Sequence, residues 1–287
     1  MSQANQSRPL SGPAFRPSRL PQLGSYALLT AGTLAMVFPF LWMIATSLKT
    51  PQHVFSLSLV PDRATLANYA ELFATTPFTD WVYNSFMIAV IMTASVCLFD
   101  TVAGYVLAKF TFAGKRLIFI AILSTLMVPT EMLIIPWYLL SAKLGWVDTY
   151  VGVLFPGLVS AFGIFLMKQF MESVPSDLLD AARIDGMNEW GIMLRIAVPL
   201  VSPALATLAI LSFLGSWNAF IWPLIVTQTE THFTIPVGVA FFSSELKDTS
   251  GWVLIMTGAT VSVLPLILLF MIFQKQIVRG IALTGLK

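Results

Sequence analysis

The chain has 287 residues, 57% hydrophobic and 10% charged, with a mean hydropathy of +0.82 and a formal net charge of +2. Soluble domains carry about 25% charged residues, and apolar runs of about 18 residues or more recur along this chain, so composition excludes a soluble domain and predicts an all-α, polytopic membrane protein. One cysteine, Cys97, excludes an internal disulfide and a cysteine metal cage, and the two histidines, His53 and His232, stand far apart outside the apolar runs, so no metal site is expected.

Residues 1–23 are polar and proline-rich, carry Arg8, Arg16 and Arg19, and read as a disordered tail. The apolar run 25–48 is longer than the roughly 7–15 residues of a signal-peptide core and reads as a retained first span. Ala27, Ala31 and Ala35 recur along it at four-residue spacing, as small residues do where helices approach closely. The loop at 49–81 is rich in Pro, Asn and Thr and predicts an ordered segment with a short helix near 66–73. Five further runs are long enough to cross about 30 Å of hydrocarbon as helices, near 82–108, 117–141, 150–170, 196–228 and 252–274. Six spans thus fill a membrane domain at 24–287.

Two acids fall at membrane depth, Asp100 in the second run and Glu131 in the third. A carboxylate at the bilayer centre costs about 2.5 kcal/mol or more, so each must face the bundle interior, water or an interface. Glu131 stands between Pro129 and Pro136, where backbone carbonyls are freed. Asp100 is nine residues from Lys109. Two readings stay open for each: a polar lining on a translocation path, or a carboxylate hydrogen-bonded to local backbone near a span end.

The segment LLDAARIDGMNEWGIML, 178–194, interrupts the apolar pattern with Asp180, Arg183, Asp185 and Glu189. Ser176 is placed to cap a short helix, and Asp177 suits its dipole. Gly186 sits where a left-handed cap would end that helix. Asn188 would cap a second helix starting at Glu189, with Trp190 as an interfacial anchor. The fifth run then has no charge in 34 positions, 196–229, but contains Pro199, Pro203 and Pro223, which predict kinks or tilt.

Lysine and arginine orient the bundle. With the N-terminus in the cytoplasm, twelve basic residues lie inside and only Lys49, Arg63, Lys143 and Lys247 lie outside. Six spans return the C-terminus to the same side, and 178–194 then faces the cytoplasm between spans four and five.

The spacing of that segment resembles the cytoplasmic motif of binding-protein-dependent ABC transporter permeases, written EAA, three residues, Gly, nine residues, I-x-L-P. Here Asp180-Ala181-Ala182 is followed by three residues, Gly186, nine residues, then Ile196-Ala197-Val198-Pro199. Asp180 replaces Glu and Val198 replaces Leu. The stretch GSWNAFIWPLIVT, 215–227, resembles the fifth-span signature of the sugar-transporter branch, and the tail FQKQIVRGIALTGLK, 273–287, resembles the C-terminal signature of maltose-transporter G-type permeases.

The resemblance implies a type I ABC importer permease fold in a bacterial or archaeal cytoplasmic (inner) membrane. It implies a second, different permease subunit, two ATPase subunits and an extracytoplasmic solute-binding protein as partners, with no nucleic acid. Residues 176–190 would be coupling helices, with Asp180, Ala181, Ala182, Asp185 and Gly186 against the ATPase, and the tail from Lys275 to Lys287 would reach it as well. Thr231, Phe233, Thr234 and Phe241 would meet the binding protein. Sugar sites use aromatic faces and hydrogen bonds, so Trp137, Tyr138, Trp217, Asn218 and Trp222, with Glu131, are the candidate pore residues; Trp and Tyr also serve as interfacial anchors. The sequence carries no G-x-x-x-x-G-K-[ST] phosphate loop. This chain is therefore expected to be non-catalytic and without a cofactor, with ATP and Mg on the partner ATPase. An ion-coupled secondary transporter using Asp100 and Glu131 is the alternative, although no internal repeat of the kind such folds show is evident.

Overall fold

A computed structural model describes residues 19–245 and 249–285; the expected tail at 1–18 lies outside them. The regular structure among the described residues is all helical, without a strand. Three helices are long and apolar enough to cross a membrane unbroken: α1 (Arg19–Ser47), α3 (Phe78–Lys109) and α14 (Thr249–Gly285). At 1.5 Å per residue, the 32 residues of α3 extend about 48 Å, more than the hydrocarbon alone requires. Short α2 (Ala67–Thr75) forms in the loop where the sequence predicts it.

The other three spans are broken. α4 (Lys115–Thr125) meets a short 3₁₀ turn and α5 (Ile134–Leu144) at 92°. α6 (Tyr150–Leu154), extended by a 3₁₀ turn through Pro156, meets α7 (Ala161–Glu172) at 44°. After α8 (Ser176–Ile184), α9 (Glu189–Ile192) continues through a π-turn into α10 (Val198–Leu200). That stretch turns 84° at Val201 into α11 (Ser202–Trp217). The chain then forms α12 (Ile221–Val226) and α13 (Ile235–Glu245) before α14. The runs 117–141, 150–170 and 196–228 are thus not single rods. Each break lies at or beside a proline that removes a helix hydrogen bond: Pro129, Pro156, and Pro199 with Pro203. With each bent pair taken as one span, six cross, and the protein is a multi-pass membrane protein.

α3 is the central strut, packed principally on α7 and α11. One apolar cluster gathers at its C-terminal end, where Val96 and Tyr105 meet Met167, Met171, Leu179 and Ile192. A second gathers at its N-terminal end around Trp81, Phe78, Trp217, Phe233 and Ile235. Gly104 lets α7 approach: a Cβ there would lie 2.7 Å from Met167 Cβ and 2.8 Å from the Lys168 nitrogen. The second neighbour is backbone and cannot swing aside. Gly104→Ala is therefore expected to cost about 1–3 kcal/mol by overpacking, and Gly104→Leu at least as much, read as a lower unfolding temperature of the detergent-solubilised protein relative to the wild type.

The loop after α1 is held by polar contacts. Lys49, 1% exposed, donates from Nζ to the Ser56 carbonyl (2.8 Å) and lies 4.6 Å over the Trp42 ring. Asn68 donates to the carbonyls of Ser47 (2.7 Å) and Lys49 (2.8 Å). By contrast, Ala27, Ala31 and Ala35 are exposed within the chain, as are all the residues from 24 to 41. The small-residue stripe is not a seam between helices of this subunit.

Candidate functional site

The charged segment forms the helix pair expected of it, with two local differences. Pro175, not Ser176, stands at the N-cap of α8, and no side chain caps the helix. Proline's fixed φ of −60° starts the helix one residue early. The C-terminus closes as a Schellman motif: Met187 N–H donates to the Ala182 carbonyl and Gly186 N–H to that of Arg183, both at 3.0 Å. Gly186 takes φ +81°, which only glycine adopts without a steric cost. Asn188 Oδ1 then accepts from Gly191 N–H at 2.8 Å and caps α9.

Arg183 fixes the angle between the two helices. Its Nε and Nη2 reach Glu189 Oε1 (2.7 Å) and Oε2 (3.3 Å), and its Nη1 reaches Asp180 Oδ1 (2.5 Å). Bonds to Glu189 and then Asp180 hold the guanidinium above its already high ordinary pKa. The Tyr105 hydroxyl donates to Glu189 Oε2 at 3.1 Å and ties the pair to α3. Leu179 and Ala182 anchor the underside of α8 in the apolar cluster.

This geometry divides the five coupling candidates. Ala181, Asp185 and Gly186 are exposed, and Asp180 is exposed but already paired with Arg183. Ala182, 6% exposed, faces the protein's own core and offers no surface to a partner. Adjacent alanines on a helix point about 100° apart, and here that step carries Ala181 outward and Ala182 into the core. The outward face instead includes Leu178 and Ile184, the latter 86% exposed, which the sequence reading missed. Arg183, Glu189 and Tyr105 were also missed as a network, although the first two lie six residues apart across the glycine turn.

Among the pore candidates, Trp137 and Trp222 come together, their ring centroids 5.7 Å apart, with Phe155 5.9 Å from Trp222. Trp222 Nε1 donates to the Gly152 carbonyl at 3.0 Å. Both tryptophans line a cavity of about 190 Å³ with Thr130, Ser216 and Thr234. A neighbouring cavity of about 390 Å³ shares Met92, Gly157, Ser216 and Ala219 with it and adds Ser160 and Ser212. Glu131 is exposed in the turn at the break of the third span. Tyr138 is half-buried and lines neither cavity. Asn218 is exposed at the end of α11 and donates to the Leu214 carbonyl (2.8 Å). Trp217 departs from the expectation. It is 3% exposed, stacked on Phe213, and its Nε1 donates to the Ser262 carbonyl at 3.1 Å, which locks α11 to α14. Asp100 also departs from a path-lining role. It is fully buried, and both carboxylate oxygens lie 3.2 Å from the Ser160 amide nitrogen at the start of α7.

At the opposite end, the segment before α13 is stitched to α3. Trp81 Nε1 donates to the Glu230 carbonyl (2.7 Å), and Asn84 Nδ2 to those of Thr231 (2.8 Å) and Phe233 (2.9 Å). Phe233 and Thr234 are buried beneath it, so of the four candidates there only Thr231 is exposed, with Phe241 half-buried. Residues 246–248 of this loop lie outside the described residues, as do the side chains beyond Gln274 and with them the expected tail contact. Asp148, at φ +61°, clasps the loop by accepting from the amides of Gln228 (2.8 Å) and Thr229 (3.0 Å) and the Thr229 hydroxyl (2.5 Å). Burial raises its carboxyl, but bonds from Gln228, Thr229 and His232 outweigh this and leave it below the ordinary range. With the folded value depressed, the clasp is complete above the ordinary carboxylate pKa and weakens only as pH falls through the lower folded value. Acidification from neutral to about pH 5 is thus expected to leave Asp148 ionised. Asp148→Ala is expected to speed hydrogen exchange of the Gln228 and Thr229 amides at neutral pH, where the wild-type clasp is complete.

Three interrupted spans around one strut, cavities lined by the breaks, and a rigid helix pair projecting from one end define the pore-forming subunit of a membrane transport system. The chain belongs to the family of binding-protein-dependent transport system inner membrane components, which matches residues 100–283. It is 34% identical over 269 residues to the arabinooligosaccharides transport system permease protein AraQ of Halalkalibacterium halodurans, covering 91% of this chain and 96% of that protein. To the lactose transport system permease protein LacG of Rhizobium radiobacter it is 33% identical over 262 residues, covering 91% and 95%. Its fold superimposes on a chain of a bacterial ABC transporter involved in import of the acidic polysaccharide alginate, with a TM-score of 0.81, 24% identity, and coverage of 92% and 99%.

Proposed function

We propose that this chain forms half of the pore of an ATP-driven importer for a sugar or related polyol, paired with a second, different permease subunit in the cytoplasmic membrane, both termini inside. The observation that carries the reading is the helix pair 176–192: a Schellman turn, an Arg183–Glu189 bridge and a Tyr105 tether make it a stiff handle with an exposed outer face. Two ATPase subunits bind ATP and Mg and seat this handle; their closure moves it as a rigid body and tilts the broken spans between inward and outward openings. Asp185, Gly186, Ala181 and Ile184 form the contact. A solute-binding protein delivers the substrate at the opposite end, against 228–231 and the face of α13. The relatives that transport arabinooligosaccharides and lactose support the carbohydrate class. The paired rings of Trp137 and Trp222, beside three hydroxyl side chains, supply the stacking and hydrogen bonding a sugar requires.

Affinity purification of this chain from its host is the test. Recovery with a second permease and an ATPase, and uptake in proteoliposomes only when ATP and the binding protein are present, are expected. A lone chain whose uptake follows an ion gradient without ATP would refute the reading.

A further inference from the structure

Away from the helix pair, the aromatic cavities and the loop clasp lies a cavity to which no role has yet fallen. It measures about 460 Å³ between the loop after α3, the first turn of α4 and the last turns of α7, lined by Phe112, Lys115, Arg116, Phe119, Lys168 and Glu172. Three cations face one carboxylate there, so the cavity is net positive. Lys168 lies 4.5 Å over the Phe119 ring and 2.6 Å from Glu172, its side chain only 12% exposed. Lys115 donates to the Phe110 carbonyl at 2.9 Å. Arg116 is exposed and makes no hydrogen bond or ion pair among the described residues. α4, 11 residues long, starts after a left-handed Gly114 with no side-chain cap; the Lys115 amide donates to the Phe112 carbonyl (3.4 Å), and no side chain caps the next amides of the turn.

Depth and polarity together select the occupant. The cavity sits where α3 ends and α4 begins, between the ends of two segments apolar enough to cross a bilayer, and charged side chains at such a junction belong at headgroup depth. One turn further along the same face of α4, Ile120 is exposed four residues from Arg116 and Leu123 is half-buried four residues from Phe119, an apolar flank beside the basic mouth. A soluble anion would use the basic mouth alone; a lipid phosphate would use both. We propose that the cavity binds the phosphodiester headgroup of an anionic membrane lipid, its acyl chains lying along Ile120 and Leu123. The leaflet follows from the proposed orientation: the site faces the cytoplasmic side, where it would steady the first half of the broken third span. Basic pockets between helices at a membrane surface bind such headgroups by charge.

The test uses the complete transporter purified from membranes containing phosphatidylglycerol and examined by native mass spectrometry. Retained phosphatidylglycerol is expected on the wild type. Arg116→Gln with Lys168→Gln should lower retention about fivefold per charge removed, while Arg116→Lys with Lys168→Arg should keep it. Equal retention by the neutral variant overturns the proposal, as does equal loss by the charge-keeping one. If millimolar inorganic phosphate displaces the lipid and occupies the site itself, the ligand is a free anion and the lipid assignment fails. If Arg116→Cys, on a Cys97→Ala background, crosslinks to a neighbouring subunit, protein fills the cavity and the proposal fails. Gly186→Trp serves as the separating control: lipid retained while uptake is lost leaves this proposal standing independently of the coupling reading.

Discussion

Gly186→Trp is expected to leave the chain inserted and assembled while reducing ATP-driven uptake by more than about tenfold. Two effects combine. Gly186 holds φ +81°, where an L-residue costs about 1–2 kcal/mol. Nothing lies within 4 Å of a Cβ built there, so an indole would not disturb this chain's own packing. Its bulk would instead enter the space that the proposed ATPase cleft occupies. Gly186→Ala separates the two effects, since it carries the strain without the volume. Uptake measured in proteoliposomes alongside ATPase activity should show Gly186→Ala weakened modestly and Gly186→Trp hydrolysing without transporting. Normal uptake by the tryptophan variant would show that this face meets no partner.

The second large effect is expected at Asp100. Its carboxylate accepts from the Ser160 amide in a fully buried position, and Gly163 is packed so closely that an added Cβ would collide with Asp100 Oδ2. Asp100→Asn keeps an acceptor of the same size, and uptake near the wild-type rate is expected. Asp100→Leu leaves the Ser160 N–H without its partner at about 1–3 kcal/mol and fills the site with branched carbon. Lower yield in the membrane and a lower unfolding temperature should follow. A well-folded Asp100→Asn protein that loses uptake, with transport in the wild type tracking an ion gradient, would instead make the carboxylate an ion carrier.

Local chemistry was readable and tertiary choice was not. Gly186 and Asn188 announced a turn and a cap because both roles are settled within four residues of chain. The count and placement of spans followed from length and apolarity. The breaks in spans three and four escaped because apolar composition reports burial, not backbone continuity; Pro129 and Pro156 were present, but a proline alone does not state whether a helix bends or ends. Asp100's partner lies 60 residues away, and nothing near Asp100 points to Ser160. Trp217 and Trp222 stand five residues apart in one signature, yet one locks two helices and the other lines a cavity. Their composition is the same; only the direction each side chain takes differs. Ala181 and Ala182 separate for the same reason.

The exposure of α1 has a consequence for biosynthesis. Its principal partner within the chain is α14, a helix synthesised long after it. Some 200 residues separate them, and at about 5–20 residues per second that interval lasts roughly 10–40 s. Through it α1 has only lipid or another protein to cover it. Translation stopped before Thr249 would release a product whose first span has lost its main neighbour, an apolar helix displayed to any membrane protease that surveys unpaired spans.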